Sequence, residues 1–282
     1  MSNDSGLLAY IDERASNRSP IGPHLTMLHD APEQCKVCAF YYDSGNFCAK
    51  LNLSELHDLH DHSQLETIKR GTQIWDHVLD DWPILAIESG VMSLQQILSD
   101  GRKTIASFFM RGDIIDLRNA ANRKLGALVA LSEVTVCRLS PEKFERIVNA
   151  NEDARILIWE NLRDQTFRAI AHSSDLAKKS SREKLAAFIF ECQRRSPSSH
   201  RCDVVEIPVR RRDLAEYLGM QPETISRCFK DFEKRGIIGV SDLSTIRILD
   251  APALRQIANG ARPEEARRSS GHNAYNILTT SA

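Results

Sequence analysis

No apolar run in these 282 residues approaches the ~18–20 residues that span a bilayer, so a transmembrane helix is not expected. The N-terminus, MSNDSGLLAYIDER, has no basic start followed by an apolar core. It therefore does not read as a secretory signal, and a cytoplasmic location is expected. A Gly-rich nucleotide loop, a nucleophile elbow and paired catalytic carboxylates are also missing, so an enzyme is not expected. Nor is there a dominant charge, since 37 Lys and Arg face 38 Asp and Glu for a net charge of −1. The seven cysteines are odd in number and follow no export signal, which fits a disulfide framework poorly. Metal binding or plain burial suits them better.

What is present is ordinary globular material, 42% hydrophobic and 27% charged, and long enough for two modest domains. The charge is unevenly spread. Residues 178–247 hold 15 basic and 10 acidic side chains, a net of +5, which leaves −6 elsewhere. A basic C-terminal half beside an acidic N-terminal half suits one domain that faces nucleic acid and one that does not.

Residues 1–30 read as an extended arm broken by Pro20 and Pro23, and residues 31–150 as a cysteine-containing segment followed by a β-rich domain. A short helix is expected near Ser54–Ser63, with Ser54 as its cap and Glu55 in its first turn. From about Leu65 to Leu139, short β-rich runs alternate with Gly71, Gly90, Gly101 and Gly112. Asp100-Gly101 signals a hairpin, because a tight turn needs positive φ there. Many short strands at this spacing predict a small barrel or jelly roll. Ser140-Pro141 then opens a helix, as cap and first helical residue.

A long helix is expected over residues 151–178. Trp159, Leu162, Thr166, Ala169, Ser173 and Leu176 follow alternating steps of three and four, the spacing of a heptad seam. Half of these are small or polar, so the seam is weak and suits a switchable homodimer; a helix packed on its own β-domain is the alternative. Residues 179–250 are expected to form a winged DNA-binding domain, and residues 251–282 a flexible tail.

The most specific stretch is residues 211–238, RRDLAEYLGMQPETISRCFKDFEKRGII. Arg212 to Leu218 reads as a short helix that Gly219 ends with a sharp turn. Pro222 opens a second helix, where no amide partner is needed. Glu223, Ser226 and Arg227 share one face by their i, i+3, i+4 spacing, near the end that enters a major groove first. Arg227 can bond guanine O6 and N7, Glu223 can accept from cytosine N4, and Ser226 can serve a base or a phosphate. Arg210, Arg211, Arg212, Lys230 and Arg247 are candidate phosphate contacts, which position without specifying. The partner so read is double-stranded DNA.

The β-rich domain, long helix and winged helix-turn-helix together resemble the CRP/FNR superfamily over roughly residues 35–250. The implied fold is α+β, with an N-terminal jelly-roll sensor of the cyclic-nucleotide-binding kind, a dimerisation helix and a C-terminal winged helix-turn-helix. Glu223, Ser226 and Arg227, together with SREKLAAFIFECQRR, are similar to the FNR branch. The cyclic-AMP receptor branch usually carries Arg just before that Glu, where this chain has Pro222. The resemblance implies TTGAT-like palindromic half-sites, RNA polymerase as a further partner, and a 4Fe–4S cluster that responds to oxygen. Cys35, Cys38 and Cys48 match the branch's three N-terminal cysteines and Cys137 its fourth, although the x9 gap before Cys48 exceeds the common x5.

Four thiolates are the standard ligation for such a cluster, but a four-sulfur set also suits zinc, and thiol sensing or burial without a metal remains open. Cyclic-nucleotide binding is disfavoured. After Gly112-Asp113 the chain lacks the Gly-Glu and Arg-Ser/Thr pairs that surround the phosphate in that branch. His57, His60 and His62 invite a haem or metal reading, but on a short polar helix they read as solvated. An iron–sulfur electron carrier would not need the helix-turn-helix.

Overall fold

The computed structural model describes residues 30–260 except 44, 75–81, 98, 102, 119–125, 196–202, 208 and 243. Apart from Asp30, the expected arm lies outside the described residues, as do residues 261–282 of the expected tail and Cys202. The chain packs as two units that divide between Ala171 and His172.

In the N-terminal unit, two single 3-10 turns, Cys35–Val37 and Phe47–Lys50, flank the short helix α1 (Ala39–Tyr42). Helix α2 (Leu53–Asp61) follows, and its cap is Asn52, not the expected Ser54. The Asn52 side chain accepts from the Glu55 amide at 2.9 Å, and the Glu55 carboxylate accepts from the Asn52 amide at 2.9 Å. This reciprocal capping box satisfies two orphan donors at once, and Ser54 falls inside the first turn. His57 donates Nε2–H to the Asp30 carbonyl at 2.8 Å and His62 donates Nδ1–H to the Asp58 carbonyl at 2.8 Å, so both rings have backbone partners.

The strands are β1 (Ser63–Ile68), β2 (Ile84–Ser89), β3 (Val91–Ile97), β4 (Lys103–Met110), β5 (Ile114–Asp116), β6 (Ala127–Ala130) and β7 (Val134–Leu139). They form two antiparallel sheets, ordered β1-β7-β2-β5 and β4-β3-β6. Strands β3 and β4 pair as the expected hairpin, and Gly101 takes φ +81° between them. Gly90 also needs its positive φ of +81°, and a Cβ there would lie 2.2 Å from the Glu133 carbonyl oxygen. One apolar cluster between the sheets holds Leu85, Ile87, Met92, Leu128, Val134 and Val136. A second lies where Phe40, Phe47, Leu56, Ile84, Leu139 and Phe144 meet.

Helix α3 (Pro141–Ala150) begins after Ser140 as expected, with Pro141 in the first turn, but the Ser140 side chain makes no capping bond. Helix α4 (Glu152–Lys178) runs 27 residues. The division between the two units falls inside α4. Ala154 and Ile158 are buried against the β-domain, whereas His172 and Leu176 meet residues of the C-terminal unit.

That unit contains α5 (Ser181–Arg195), β8 (Val204–Glu206), α6 (Arg211–Leu218), α7 (Pro222–Lys234), β9 (Ile238–Val240), β10 (Thr245–Ile248) and α8 (Ala251–Ala258). The wing is three-stranded, in the order β8-β10-β9. Helix α8 corrects the expectation of a flexible tail starting at 251. Asp250 caps it by accepting from the Ala253 amide at 2.9 Å, and Pro252 sits in the first turn. Leu254, Ile257 and Ala258 are buried, and the Arg255 guanidinium lies 4.9 Å from the centre of the Phe190 ring on α5. Its apolar stripe is only two turns long and follows directly on the wing, so it is easily taken for the end of a domain.

Candidate functional site: a DNA-reading helix and a four-cysteine set

Helix α6 stops because Gly219 adopts the left-handed conformation, φ 60° and ψ 43°, and the Met220 amide returns to the Ala215 carbonyl at 2.9 Å. Gln221 is extended, and Pro222 starts α7 without an amide to satisfy. Ile225, Cys228, Phe229 and Phe232 form the buried side of α7. The opposite side leaves Glu223, Ser226, Arg227 and Lys230 all exposed, so the expected reading residues share one solvent-facing strip. Ser226 donates its hydroxyl to the Pro222 carbonyl at 3.1 Å, which leaves its oxygen lone pairs free to accept.

Arg210, Arg212 and Arg247 are exposed, as a phosphate contact requires. Arg211 is different. Its guanidinium lies 3.3 Å from the centre of the Phe229 ring, and burial lowers its pKa. It braces α6 against α7 by a cation–π contact, a role its sequence position did not suggest. The alternation of apolar and polar residues could not distinguish it from its neighbours. Asp231 bonds Arg182 at 3.0 Å and Arg235 at 3.5 Å, which fixes α7 to α5.

The face of α4 read as a seam is exposed at Trp159, Thr166, Ala169, Ser173 and Leu176, and partly buried at Leu162. Trp159 is 63% exposed, and Ile170, absent from the seam as read, is 57% exposed and lies beside Ala169. Large apolar side chains standing in water along one helix are the surface a second helix would cover.

Cys35, Cys38, Cys48 and Cys137 come from three segments, yet all pack against the same apolar cluster. Burial pushes the Cys35 thiol up to about 12, helped by the neighbouring sulfurs of Cys38 and Cys137 and by Glu88. Burial also pushes Cys137 up to about 12, against a hydrogen bond with Ser63. Cys48 is raised well above its ordinary value by burial and then by the other three sulfurs. Burial raises Cys38 too, while the Arg111 charge lowers it. The four sulfurs thus lie within electrostatic reach of one another, with Glu88 and Arg111 alongside.

Among the described residues, no group of three or more His, Cys, Asp or Glu side chains is gathered closely enough to hold a metal ion. By the chemistry of the donor set alone, four soft sulfur donors are the standard ligation of a 4Fe–4S cluster and also suit zinc. Cys192 is buried in the core side of α5, and Cys228 is buried on α7.

Residues 183–257 match the Crp-like helix-turn-helix domain family. Over 241 residues the chain is 26% identical to the nitrogen fixation regulation protein FixK of Bradyrhizobium diazoefficiens, covering 84% of this chain and 98% of that protein. It is 22% identical over 240 residues to the transcriptional activator protein FnrL of Cereibacter sphaeroides, covering 82% of this chain and 95% of that protein. The solved structure of FixK2 from Bradyrhizobium japonicum shares the fold, with a TM-score of 0.57 and 23% identity, over 69% of this chain and 96% of that one. Among the described residues, no helix is long and apolar enough to cross a membrane.

Proposed function

We infer that this chain, a transcription regulator of the CRP/FNR family and not an enzyme, binds palindromic TTGAT-like sites in the cytoplasm as a homodimer and responds to oxygen through a 4Fe–4S cluster on Cys35, Cys38, Cys48 and Cys137. The carrying observation is the convergence of four cysteines from three segments on one core, in a chain whose reading face lies on another unit.

Regulators of this family bind DNA and act as dimers. Pairing through α4 would set two α7 helices one DNA turn apart, about 34–36 Å. Arg227 and Glu223 then supply the base contacts, and Ser226, Arg212 and Lys230 support them. RNA polymerase is the further partner that the resemblance implies.

When bound, a 4Fe–4S group supplies an oxidant-labile centre held by thiolates. With their four sulfurs tied together, Cys35, Cys38 and Cys48 pin the N-terminal segment to Cys137 on β7. Untied, that segment is held by apolar packing, in which Phe47 meets Phe40 at 6.0 Å and Phe144 at 5.9 Å, and by the bond from Asn151 Nδ2–H to the Lys50 carbonyl at 3.2 Å. A trigger acts only through a free-energy difference between states, so the tied arrangement must favour the dimer.

The test is an anaerobic absorption spectrum with iron and sulfide assays, followed by a gel shift on a TTGAT palindrome. Four irons and four sulfides per chain, with a shifted band lost on exposure to air, are expected. Zinc alone, or no metal, would overturn the sensing part. Equal binding to scrambled duplex would overturn the site preference.

A further inference from the structure

The turn that joins β4 to β5 lies beside the segment that leads to Cys48 and is bonded to α4. Arg111, at the start of the turn, lies close enough to Cys38 for its charge to be felt there. A Cβ on Gly112, whose φ is +90°, would lie 3.7 Å from Asn46 Oδ1. Asn46 is buried and immediately precedes the 3-10 turn that carries Cys48. The turn is also fixed to the end of β2, since the Gly112 amide donates to the Ile87 carbonyl at 2.9 Å and the Ile87 amide donates to the Asp113 carbonyl at 3.0 Å.

On its other side the turn is clamped by three residues of α4, spaced by four and three and so on one face. Asn161 donates Nδ2–H to the Gly112 carbonyl at 2.6 Å and accepts the Ile114 amide at 3.1 Å. Gln165 donates to the Ile114 carbonyl at 2.8 Å and to Asn161 Oδ1 at 2.7 Å. Arg168 reaches Asp113 Oδ1 at 2.7 Å, while Asp113 Oδ2 accepts the Met110 amide at 2.9 Å. Asp113 is 2% exposed, so this carboxylate is held by bonds rather than by water.

The geometry points to Asn161, Gln165 and Arg168 as positioning residues that couple the cysteine segment to the dimerisation helix through the Arg111–Ile114 turn. The turn is short, lies against Asn46 at Gly112 and is bonded to α4, so a shift of the Asn46–Cys48 segment against Gly112 moves the acceptors that hold α4. The α4 residues that bond the turn are interleaved with the seam residues, of which Trp159, Thr166 and Ala169 are exposed and Leu162 is partly buried. Rotation or loosening of the helix at the clamp therefore alters the face offered to a second copy. This role rests on the proposed sensing at the cysteines for its purpose, but not for its test.

The test is a double-mutant cycle on the full chain, read by hydrogen exchange of the α4 peptide over residues 156–170. Cys48→Ala disturbs the cysteine segment from within the polypeptide, whatever that segment binds. In the otherwise native chain it is expected to speed exchange in α4 several-fold. With Asn161→Ala and Gln165→Ala already present, α4 exchanges faster from the start and Cys48→Ala adds nothing. An equal increment in both backgrounds, or none in the native one, would overturn the coupling.

Gln165→Ala alone serves as the milder background should the double substitution unfold the chain. Arg168→Lys, which keeps the charge against Asp113, is expected to retain the response that Arg168→Ala loses, and equal loss in both would argue for packing alone. Iron and sulfide contents of the same anaerobic samples separate the two ideas. A chain without iron refutes the cluster while leaving the exchange cycle readable.

Discussion

The two units put their polar side chains to opposite uses. In the C-terminal unit, Glu223, Ser226, Arg227 and Lys230 stand in water on a single helix, and the apolar side of that helix carries the packing. In the N-terminal unit, Ser93, Gln95 and Asp113 are buried and bonded, with Gln95 donating to Ser93 Oγ at 2.7 Å and Arg168 reaching Asp113 at 2.7 Å. One site is a surface that a single helix presents, and the other is assembled from segments distant in the chain. Changes on the first should alter DNA binding and leave folding intact. Changes around the second should move folding and function together.

The sharpest test of that contrast is Phe47→Ala. Phe47 is 1% exposed beside Cys48, and its removal is expected to cost the N-terminal unit about 3–5 kcal/mol in urea unfolding. Iron content should fall with it, and a stable variant with full iron would break the comparison. Next comes Arg227→Ala, which should lose about 1–3 kcal/mol of discrimination against the wrong base. Its stability should stay within about 0.5 kcal/mol of the parent's. Unchanged preference between operator and scrambled duplex would remove Arg227 from the reading set.

Lys230→Ala is expected to weaken binding to all sequences alike and to reduce the salt slope of log K by about 1. A sequence-dependent loss would instead make Lys230 a base contact.

The smallest effect concerns His172, stacked on Tyr217 at 3.8 Å with its Nε2 buried and unbonded. Burial, followed by the nearby Lys184, pushes its pKa down from 6.5 to about 4. The folded chain keeps this ring neutral while the unfolded chain takes up a proton below about 6.5. Its contribution to stability is therefore full above that pH and is lost progressively as pH falls toward about 4. His172→Phe should flatten this part of the stability profile, and an unchanged profile would assign the dependence to other groups.

The contrast also explains what could be read from the sequence. The helix-turn-helix is contiguous: Gly219 and Pro222 punctuate it, and the 3.6-residue period sorts Ile225 and Phe229 from Glu223 and Arg227. The stacking of Arg211 on Phe229 was not legible, because a guanidinium over a ring looks the same in sequence as one in water. The four cysteines were legible as residues, but their meeting depends on pairing β7 with β1 and β2, which no local signal encodes. Strand β5 is three residues long and has too few alternations to show a period. The Asn161, Gln165 and Arg168 clamp read as ordinary helix polarity, since its partners are turn atoms, the Asp113 carboxylate among them, 47 to 55 residues away. Helix α8 was missed for its length, and the Asn52 cap because Ser54 offered a nearer candidate.

The claim that most needs testing is that the cysteine set governs the reading helix. Fluorescence anisotropy with a TTGAT palindrome, on anaerobically prepared parent and Cys137→Ala chains before and after air, addresses it directly. Tight binding by the anaerobic parent alone, falling as iron is lost, is the predicted result. Equal affinity in all four samples would contradict the account and leave a DNA reader whose trigger lies elsewhere in the chain.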